Sequence, residues 1–392
     1  MASHHHADIV ILGAGIAGLW LHARLRSQGY NALLLETHAV GGGQSIASQG
    51  IIHSGLKYAF AGKVNKLAKS ISAMPDRWRA CLNGTGELDL SATDVSTQSQ
   101  ILMIPSGLMG GLVKLVTKKV LGGQVREIPK SEWPNDIVRS GFKGQLVYMD
   151  EPVLNVPSLV RALCTPYHDS IRRIEWDDVS FDGKDLHIGK HTITADHFIF
   201  TAAGNNHAIA TSLGHDTGLK TQARPLRMGM LRPAPFALYA HLVGQSDKPV
   251  ATITTHKDKD GTLVWYLGGG VAERAKESDP LEVYKSTIKG LTKYLPKLDL
   301  SNVQWNSLPI DRFEGKSDKE GWMPDTPVIH SHGTYHYCWP TKLTFSPLLA
   351  DKVFAFIGKP SSKQANWNFL EKAPYASAVW DKDDDWTNTA AG

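Results

Sequence analysis

Three groups of residues in this sequence have types and spacings suited to chemistry. The first is the turn Gly13-Ala14-Gly15-Ile16-Ala17-Gly18, with an acid, Glu36, roughly twenty residues further on. Glycine at 13 permits a tight turn, at 15 it lets the backbone approach a pyrophosphate, and at 18 it lets a helix pack close to a strand. A helix starting there offers unpaired N–H groups and a positive dipole end to phosphates. Glu36 is placed to accept hydrogen bonds from both ribose hydroxyls, and its charge would repel a 2′-phosphate. The second group is two imidazoles, His53 and His256, candidate proton acceptors because imidazole changes charge near neutral pH. Competing uses are a loop histidine bonded to backbone at 53 and a packing or surface histidine at 256, which ends a strand before a turn. The third is Arg312, in Pro309-Ile310-Asp311-Arg312-Phe313-Glu314-Gly315. Its planar fork of donors suits a carboxylate or phosphate, and an ion pair with Asp311 or Glu314 is the competing use.

These residues need elements to hold them. Asp8-Ile9-Val10-Ile11-Leu12 is a short apolar run ending at Gly13, the pattern of a buried parallel strand. A helical pattern follows through Leu19, Leu21, Ala23 and Leu25 to Gly29, and a second strand, Asn31 to Leu35, ends at Glu36. Strand, helix and acid stand in register, so the segment predicts a βαβ unit that binds a dinucleotide. A glycine-rich turn in an unrelated α/β fold is the alternative. An NAD-binding chain would move on to another short crossover. This one continues as a long small-residue loop, Thr37 to Tyr58, able to run along a larger ligand.

That loop, and above all its Gly50-Ile51-Ile52-His53-Ser54-Gly55-Leu56-Lys57-Tyr58 run, resembles the D-amino-acid oxidase (DAO) superfamily of FAD-dependent oxidoreductases. The likeness is nearest to the branch of glycerol-3-phosphate dehydrogenases and L-2-hydroxyglutarate oxidases. The resemblance implies FAD, with Ser45 beside the pyrophosphate and His53 near the flavin ring; in some relatives a histidine of this loop is linked covalently to flavin. It implies that the strand ending Thr201-Ala202-Ala203-Gly204 passes beside the dinucleotide and that the strand Arg172 to Val179 passes the adenine. Tyr337 to Pro347 is similar to the turn whose backbone amides face the flavin N1–C2=O edge, although Cys338-Trp339-Pro340-Thr341 replaces the usual glycines. The cofactor-binding expectation is therefore Gly13, Ala14, Gly15, Ile16, Ala17, Gly18, Glu36, Thr37, Gln44, Ser45, Gly50, Ile51, His53, Val179, Ala203, Gly204, Pro340, Thr341, Lys342 and Leu343. By the same resemblance Arg312 precedes the family's segment seen here as Pro324-Asp325-Thr326-Pro327, and Lys342 anchors the flavin edge or polarises an electron acceptor. Ser346 and Pro347 read as the cap and first residue of a last helix, Leu348 to Ile357.

The fold expected is α/β (α+β overall): a Rossmann-like FAD-binding domain built from discontinuous segments, 1–80, 150–215 and 325–375, and an antiparallel-sheet substrate domain, 81–149 and 216–324, with a polar tail at 376–392. In the substrate domain, Val250–His256 and Thr262–Leu267 read as a hairpin across Asp258-Lys259-Asp260-Gly261. Leu281–Tyr294 reads as an amphipathic helix, and a further helix is expected around Leu108–Val120. Tyr58, Trp265 and Tyr266 either wall a substrate pocket or belong to the core.

Composition excludes other classes. A formal net charge of +4, with Lys and Arg interspersed among acids, gives no nucleic-acid footprint. A tRNA-modifying flavoenzyme of the same fold, or a non-catalytic or NAD-dependent binder, remains the alternative function. No run of about 18 apolar residues predicts a membrane span; peripheral membrane contact stays open. His4-His5-His6 read as a leader remnant outside the chemistry, and nothing before Asp8 has a signal-peptide layout. Cys81, Cys164 and Cys338 form no disulfide framework and no metal-ligand spacing, so no metal is expected and a cytoplasmic location fits. Cys338 is either a covalent flavin attachment point or an inert buried thiol. The implied function is oxidation of a small amino- or hydroxy-acid-like substrate by hydride transfer to flavin N5, with oxygen, a quinone or a protein as electron acceptor.

Overall fold

The apolar run at the N-terminus forms the central strand of a parallel sheet. The structure, a computed structural model, describes residues 3–54, 71–108, 125–245, 249–273, 279–316, 324, 326–361, 364–382 and 386–388. Gly55–Tyr58, most of the helix expected around 108–120, Asp325 and the acid run 383–385 lie outside the described residues.

Strand β1 (Ser3–Leu12), helix α1 (Ile16–Ser27) and strand β2 (Ala32–Glu36) make the expected βαβ unit, and β1 and β2 pair in parallel. Across the sheet the order is Val328–His332, Tyr335–Trp339, His191–Phe200, β1, β2, Ile171–Arg173. Alternate residues of β1 enter different cores. Ile9 and Ile11 pack with α1 on one face, whereas Val10 and Leu12 pack with Leu33, Leu35, Phe198 and Phe200 on the other. A parallel sheet covered on both faces therefore reads as a continuous apolar run rather than an alternating one. Helix α1 is buried on nearly every side because helices Val156–Cys164 and Ser346–Phe354 close over it. Gly18 makes that closeness possible: a Cβ there would stand 2.1 Å from the Gly13 carbonyl oxygen and 2.7 Å from Thr201 Oγ1.

The second sheet is largely antiparallel. It runs Thr387–Asn388, Gln304–Gly315, Thr221–Arg232, Leu263–Gly268, Ala251–Lys257, Ala240–Leu242, Gln100–Pro105, Gly144–Met149, Val125–Ile128. The hairpin 251–268 forms as expected, and helix Pro280–Tyr294 packs on the sheet through Val283, Leu291 and Tyr294. Leu281 stays on its exposed side. Hydrogen bonds pin the loop after β2 to this sheet. Gln49 Nε2 donates to the carbonyls of Thr252 (3.0 Å) and Tyr266 (2.9 Å), and the Tyr266 hydroxyl donates to Ala47 O (2.7 Å).

Three local expectations change. Ser3–His6 are part of β1, paired in register with His191–Thr194, and His5 stacks on Phe369 at 4.2 Å, so the polar tract extends the strand. The strand expected over 172–179 is broken by a 3-10 turn, Trp176–Asp178, so Val179 begins a separate hairpin strand, Val179–Asp182. Ser346 lies inside the last helix instead of capping it, because a 3-10 turn, Leu343–Phe345, runs directly into that helix.

Helix Met74–Leu82 is tied to this framework by ion pairs. Asp351 accepts from Arg24 Nη1 (2.7 Å) and Arg77 Nη1 (2.6 Å), while Arg77 Nη2 meets Glu87 Oε2 at 2.6 Å. Among the described residues no helix is long and apolar enough to cross a membrane.

Candidate active site

A cavity of about 1060 Å³ lies between the two sheets. It meets the C-terminal ends of the parallel strands at Leu12, Leu35 and Thr201, the place where open α/β sheets bind ligands. Met228, Thr252 and Gly268 line it from the opposite sheet.

At one end stands the start of α1. Gly15, its N-cap residue, has no capping side chain of its own, and the tertiary contact that replaces one is Ser45, whose Oγ accepts from Ile16 N–H at 2.8 Å. Glu36 accepts from Ala14 N–H (2.7 Å) with one oxygen and from the N–H groups of Thr37 and His38 (2.9 Å each) with the other. Gly13, Gly15, Ile16, Ala17, Glu36, Thr37, Gln44 and Ser45 all line the cavity. Ala14 and Gly18 do not; Ala14 is buried behind the turn, and Gly18 serves the packing of α1. Beyond Glu36 the wall continues as Ile174, Glu175, Trp176 and Asp177. Val179 is not part of it, since the 3-10 turn carries the chain away and leaves Trp176 at the rim.

Two turns form the far wall. Ala203 (φ +52°) and Thr341 (φ +69°) are the two non-glycine residues with positive φ among those described, and both line the cavity. Left-handed backbone at such residues is strained and persists where surrounding contacts fix it. The fixing contacts are present. Asn206 accepts from Ala202 N–H and donates to the carbonyls of Phe200 and Cys338, and Trp339 Nε1 donates to Ala203 O at 3.0 Å. Gly204 lies behind this turn against the Phe313 ring rather than on the cavity. Pro340, Thr341, Lys342 and Leu343 line the cavity, and Thr341 Oγ1 is buried without a hydrogen-bond partner. Cys338 also reaches the wall; its thiol is fully buried, and burial pushes its pKa up, so it stays protonated.

His53 closes this end. Its N–H donates to Thr344 Oγ1 (3.2 Å), and its Nδ1 lies 3.2 Å from Glu151 Oε2. Gly50 and Ile51 lead up to it along the cavity. Gly50 has φ +70°, and a Cβ there would stand 2.1 Å from Leu154 O, so the glycine lets the loop run close to the short strand Val153–Leu154. Arg312 lines the cavity from Gln304–Gly315, directly across the strand pair from Arg224, which lines it too. Of the two acids expected as competitors, Asp311 and Glu314, the latter is engaged by Arg224, through Nε at 2.7 Å.

His256 is not on the cavity. It is buried, stacked on Trp380 at 4.0 Å and hydrogen-bonded to Thr254 Oγ1, and burial pushes its pKa down to about 3. Trp265 and Tyr266 are core residues. Sequence reasoning did not single out Glu151, His241, Gln49 or Trp176. Glu151 and His241 come from the segment after strand Gly144–Met149 and from the three-residue strand Ala240–Leu242, too short to show periodicity.

Fold and site together define a dinucleotide-dependent enzyme with an α/β cofactor sheet facing an antiparallel roof. The family model for DAO, FAD dependent oxidoreductase, matches residues 8–353. A probable FAD-dependent oxidoreductase of Pseudomonas aeruginosa, PA4991, is 37% identical over 382 residues, covering 95% of this chain and 97% of that protein. Its crystal structure superposes with a TM-score of 0.83 at 34% identity, over 97% of this chain and 99% of that one. Glycine oxidase from Geobacillus kaustophilus (TM-score 0.66, 16% identity, 95% of this chain and 100% of that one) and L-α-glycerophosphate oxidase from Mycoplasma pneumoniae (0.62, 13%, 95% and 100%) share the fold. The chain belongs to the DAO family of FAD-dependent oxidoreductases.

The cavity fits that cofactor. Its floor at Gly15 is open, since a Cβ there would meet Ser45 Oγ alone, at 3.2 Å, and the orphaned Thr341 Oγ1 awaits a partner at the other end.

Proposed function

We propose that this chain oxidises a small, anionic amino- or hydroxy-acid-like substrate at a CH–NH or CH–OH carbon. One observation carries the reading: a histidine and an arginine, His53 and Arg312, enter from different elements and line one cavity that begins at the helix N-terminus of α1. In this reading 1–80, 150–215 and 325–375 form the cofactor domain, and 81–149 and 216–324 the substrate domain. Residues Gly13, Gly15, Ile16, Ala17 and Ser45 would hold the FAD pyrophosphate, Glu36 and Trp176 the adenosine end, and Ala203, Pro340–Leu343 and His53 the flavin end. Bound there, FAD supplies the two-electron acceptor for substrate hydride.

The protein's own contribution is position and charge. Arg312 binds the substrate carboxylate through its fork, with Arg224 beside it adding positive field that buried Glu314 partly offsets. His53 takes the proton from the substrate O–H or N–H. Lys342, buried in the turn at the flavin end, adds a cation where negative charge develops. Met228, Ile310 and Leu226 keep the space between them apolar and poor in water.

An anaerobic screen of the yellow protein against small carboxylates, amines and phosphate esters tests this. The expected result is bleaching by an amino or hydroxy acid. Bleaching by a phosphate ester alone, or by amines lacking an acid group, refutes the carboxylate assignment.

A further inference from the structure

Glu151 is buried, and an ionised carboxylate in that position is costly unless its oxygens are filled. They are filled. Oε1 accepts from both the N–H and the hydroxyl of Ser54, at 2.8 Å each. Oε2 faces three groups: His53 Nδ1 at 3.2 Å, Gln100 Nε2 at 3.3 Å and His241 Nε2 at 3.8 Å. His241 is itself buried, and its Nδ1 lies 3.0 Å from Thr252 Oγ1. Two imidazoles, 6.2 Å apart between ring centres, thus share one carboxylate behind the cavity wall that His53 forms, and the role given to His53 leaves Glu151 and His241 unexplained.

We infer that Glu151 is the positioning residue for His53, and that His241 is a second imidazole on the same carboxylate, so that the trio orients the base and holds the proton it removes. The inference rests on the reading of His53 as proton acceptor and deepens it. With Nδ1–H directed at Glu151, neutral His53 carries its lone pair on Nε2. When the substrate O–H or N–H bond breaks, its proton forms a new bond to Nε2. The electron pair left behind becomes the second bond of C=O or C=N as hydride leaves the carbon for FAD. The resulting imidazolium stands against a carboxylate already held by Ser54 and Gln100.

Electrostatics agree with this layout. Burial alone would raise the Glu151 pKa, but His53 and His241 outweigh it and hold it well below the usual carboxylate range. The titratable groups facing Glu151 among the described residues are His53, from the loop after β2, and His241, from strand 240–242. Neighbouring Asp150 turns away to Arg79, with Oδ2 2.8 Å from Nη1.

Ring-¹⁵N histidine NMR on the FAD-loaded protein tests this without a substrate, with signals assigned through His53→Gln and His241→Gln. Expected in the wild type are a protonated Nδ1 on neutral His53 and a two-step titration of the pair. Glu151→Gln should lower the His53 midpoint by about one unit or more and mix its tautomers, and Glu151→Asp should restore part of both. If Glu151→Gln does not fold, His241→Gln supplies the second reading, since loss of the competing imidazole should raise the His53 midpoint. An unchanged midpoint and tautomer in these variants would overturn the inference. So would tight uptake of one equivalent of zinc from zinc chloride that shifts both imidazoles and is lost in Glu151→Gln, because the ligand atoms of the trio lie within 4.8 Å of one another and such uptake would make them a metal centre. A failed substrate screen would count against the proposed reaction while leaving this titration interpretable.

Discussion

Main chain lines the cavity at both ends: the Gly13–Gly15 turn and the start of α1 at one, and the strained turns at Ala203 and Thr341 at the other. At His53, Arg224 and Arg312 on the cavity, and at Glu151 and His241 behind His53, the groups proposed to work are side chains. On the proposed reading the main-chain group would hold the cofactor through groups that every residue has, so what the sequence must supply is permission for close approach. The side-chain group would act through particular ionisable groups held at set distances. A change in the first should therefore abolish cofactor retention, and a change in the second should leave the flavin bound and slow its reduction.

The harshest way to break that division is Gly18→Val. Its Cβ would fall 2.1 Å from the Gly13 carbonyl and push α1 off the sheet. Purified Gly18→Val should be colourless, as read by flavin absorbance per mole of protein. Full yellow colour would show that the helix start does not hold the cofactor. On the other wall, Arg312→Ala should lower kcat/KM for the acid that bleaches the wild type by about 100-fold, the scale of a lost charged bidentate contact, with flavin content unchanged. Loss of flavin instead would move Arg312 to the cofactor side of the comparison.

Acid stability compares the two halves directly. His22 in α1 and His256 under the roof are both buried, and burial pushes each pKa down to about 3. Between that value and the unfolded value near 6.5, the unfolded chain binds a proton that the native one refuses, so stability falls as pH falls through this window. The loss is about 2 kcal/mol per histidine at pH ~5. His22→Gln and His256→Gln should each flatten the dependence of the melting temperature on pH; an unaltered slope would mean that these imidazoles are charged in the native state. The smallest expected effect is Val179→Ala, which should leave FAD affinity within error, whereas Trp176→Ala should weaken it several-fold, as measured by reconstitution of the apoprotein. The opposite order would restore Val179 to the adenine end.

The main-chain wall is the legible one, and the reason is locality. The βαβ unit announces itself because Gly13, Gly15, Gly18 and Glu36 sit within one supersecondary element, where a single short segment fixes the geometry. Even there, details set by tertiary packing escape: Ser45 capping α1 from across the loop, Ser3–His6 joining the sheet, and Phe345 rather than Ser346 preceding the last helix. The side-chain wall is assembled from segments whose spacing in sequence carries no period. His53 was found through the loop around it. Glu151 and His241 had no such marker, since each sits in a short, non-repeating segment and becomes meaningful only when three parts of the chain converge. His256, which looked equivalent to His53 on chemical type, differs in burial and in its Trp380 stack, and neither is visible from neighbouring residues.

The proposed reaction requires His53 to act upon the substrate rather than merely touch the cofactor. Stopped-flow anaerobic bleaching of His53→Gln, loaded with flavin to the wild-type level and mixed with the acid identified in the screen, measures this directly. Reduction slowed by about 100-fold or more, with the yellow colour intact, is the predicted outcome. Bleaching at the wild-type rate would contradict it.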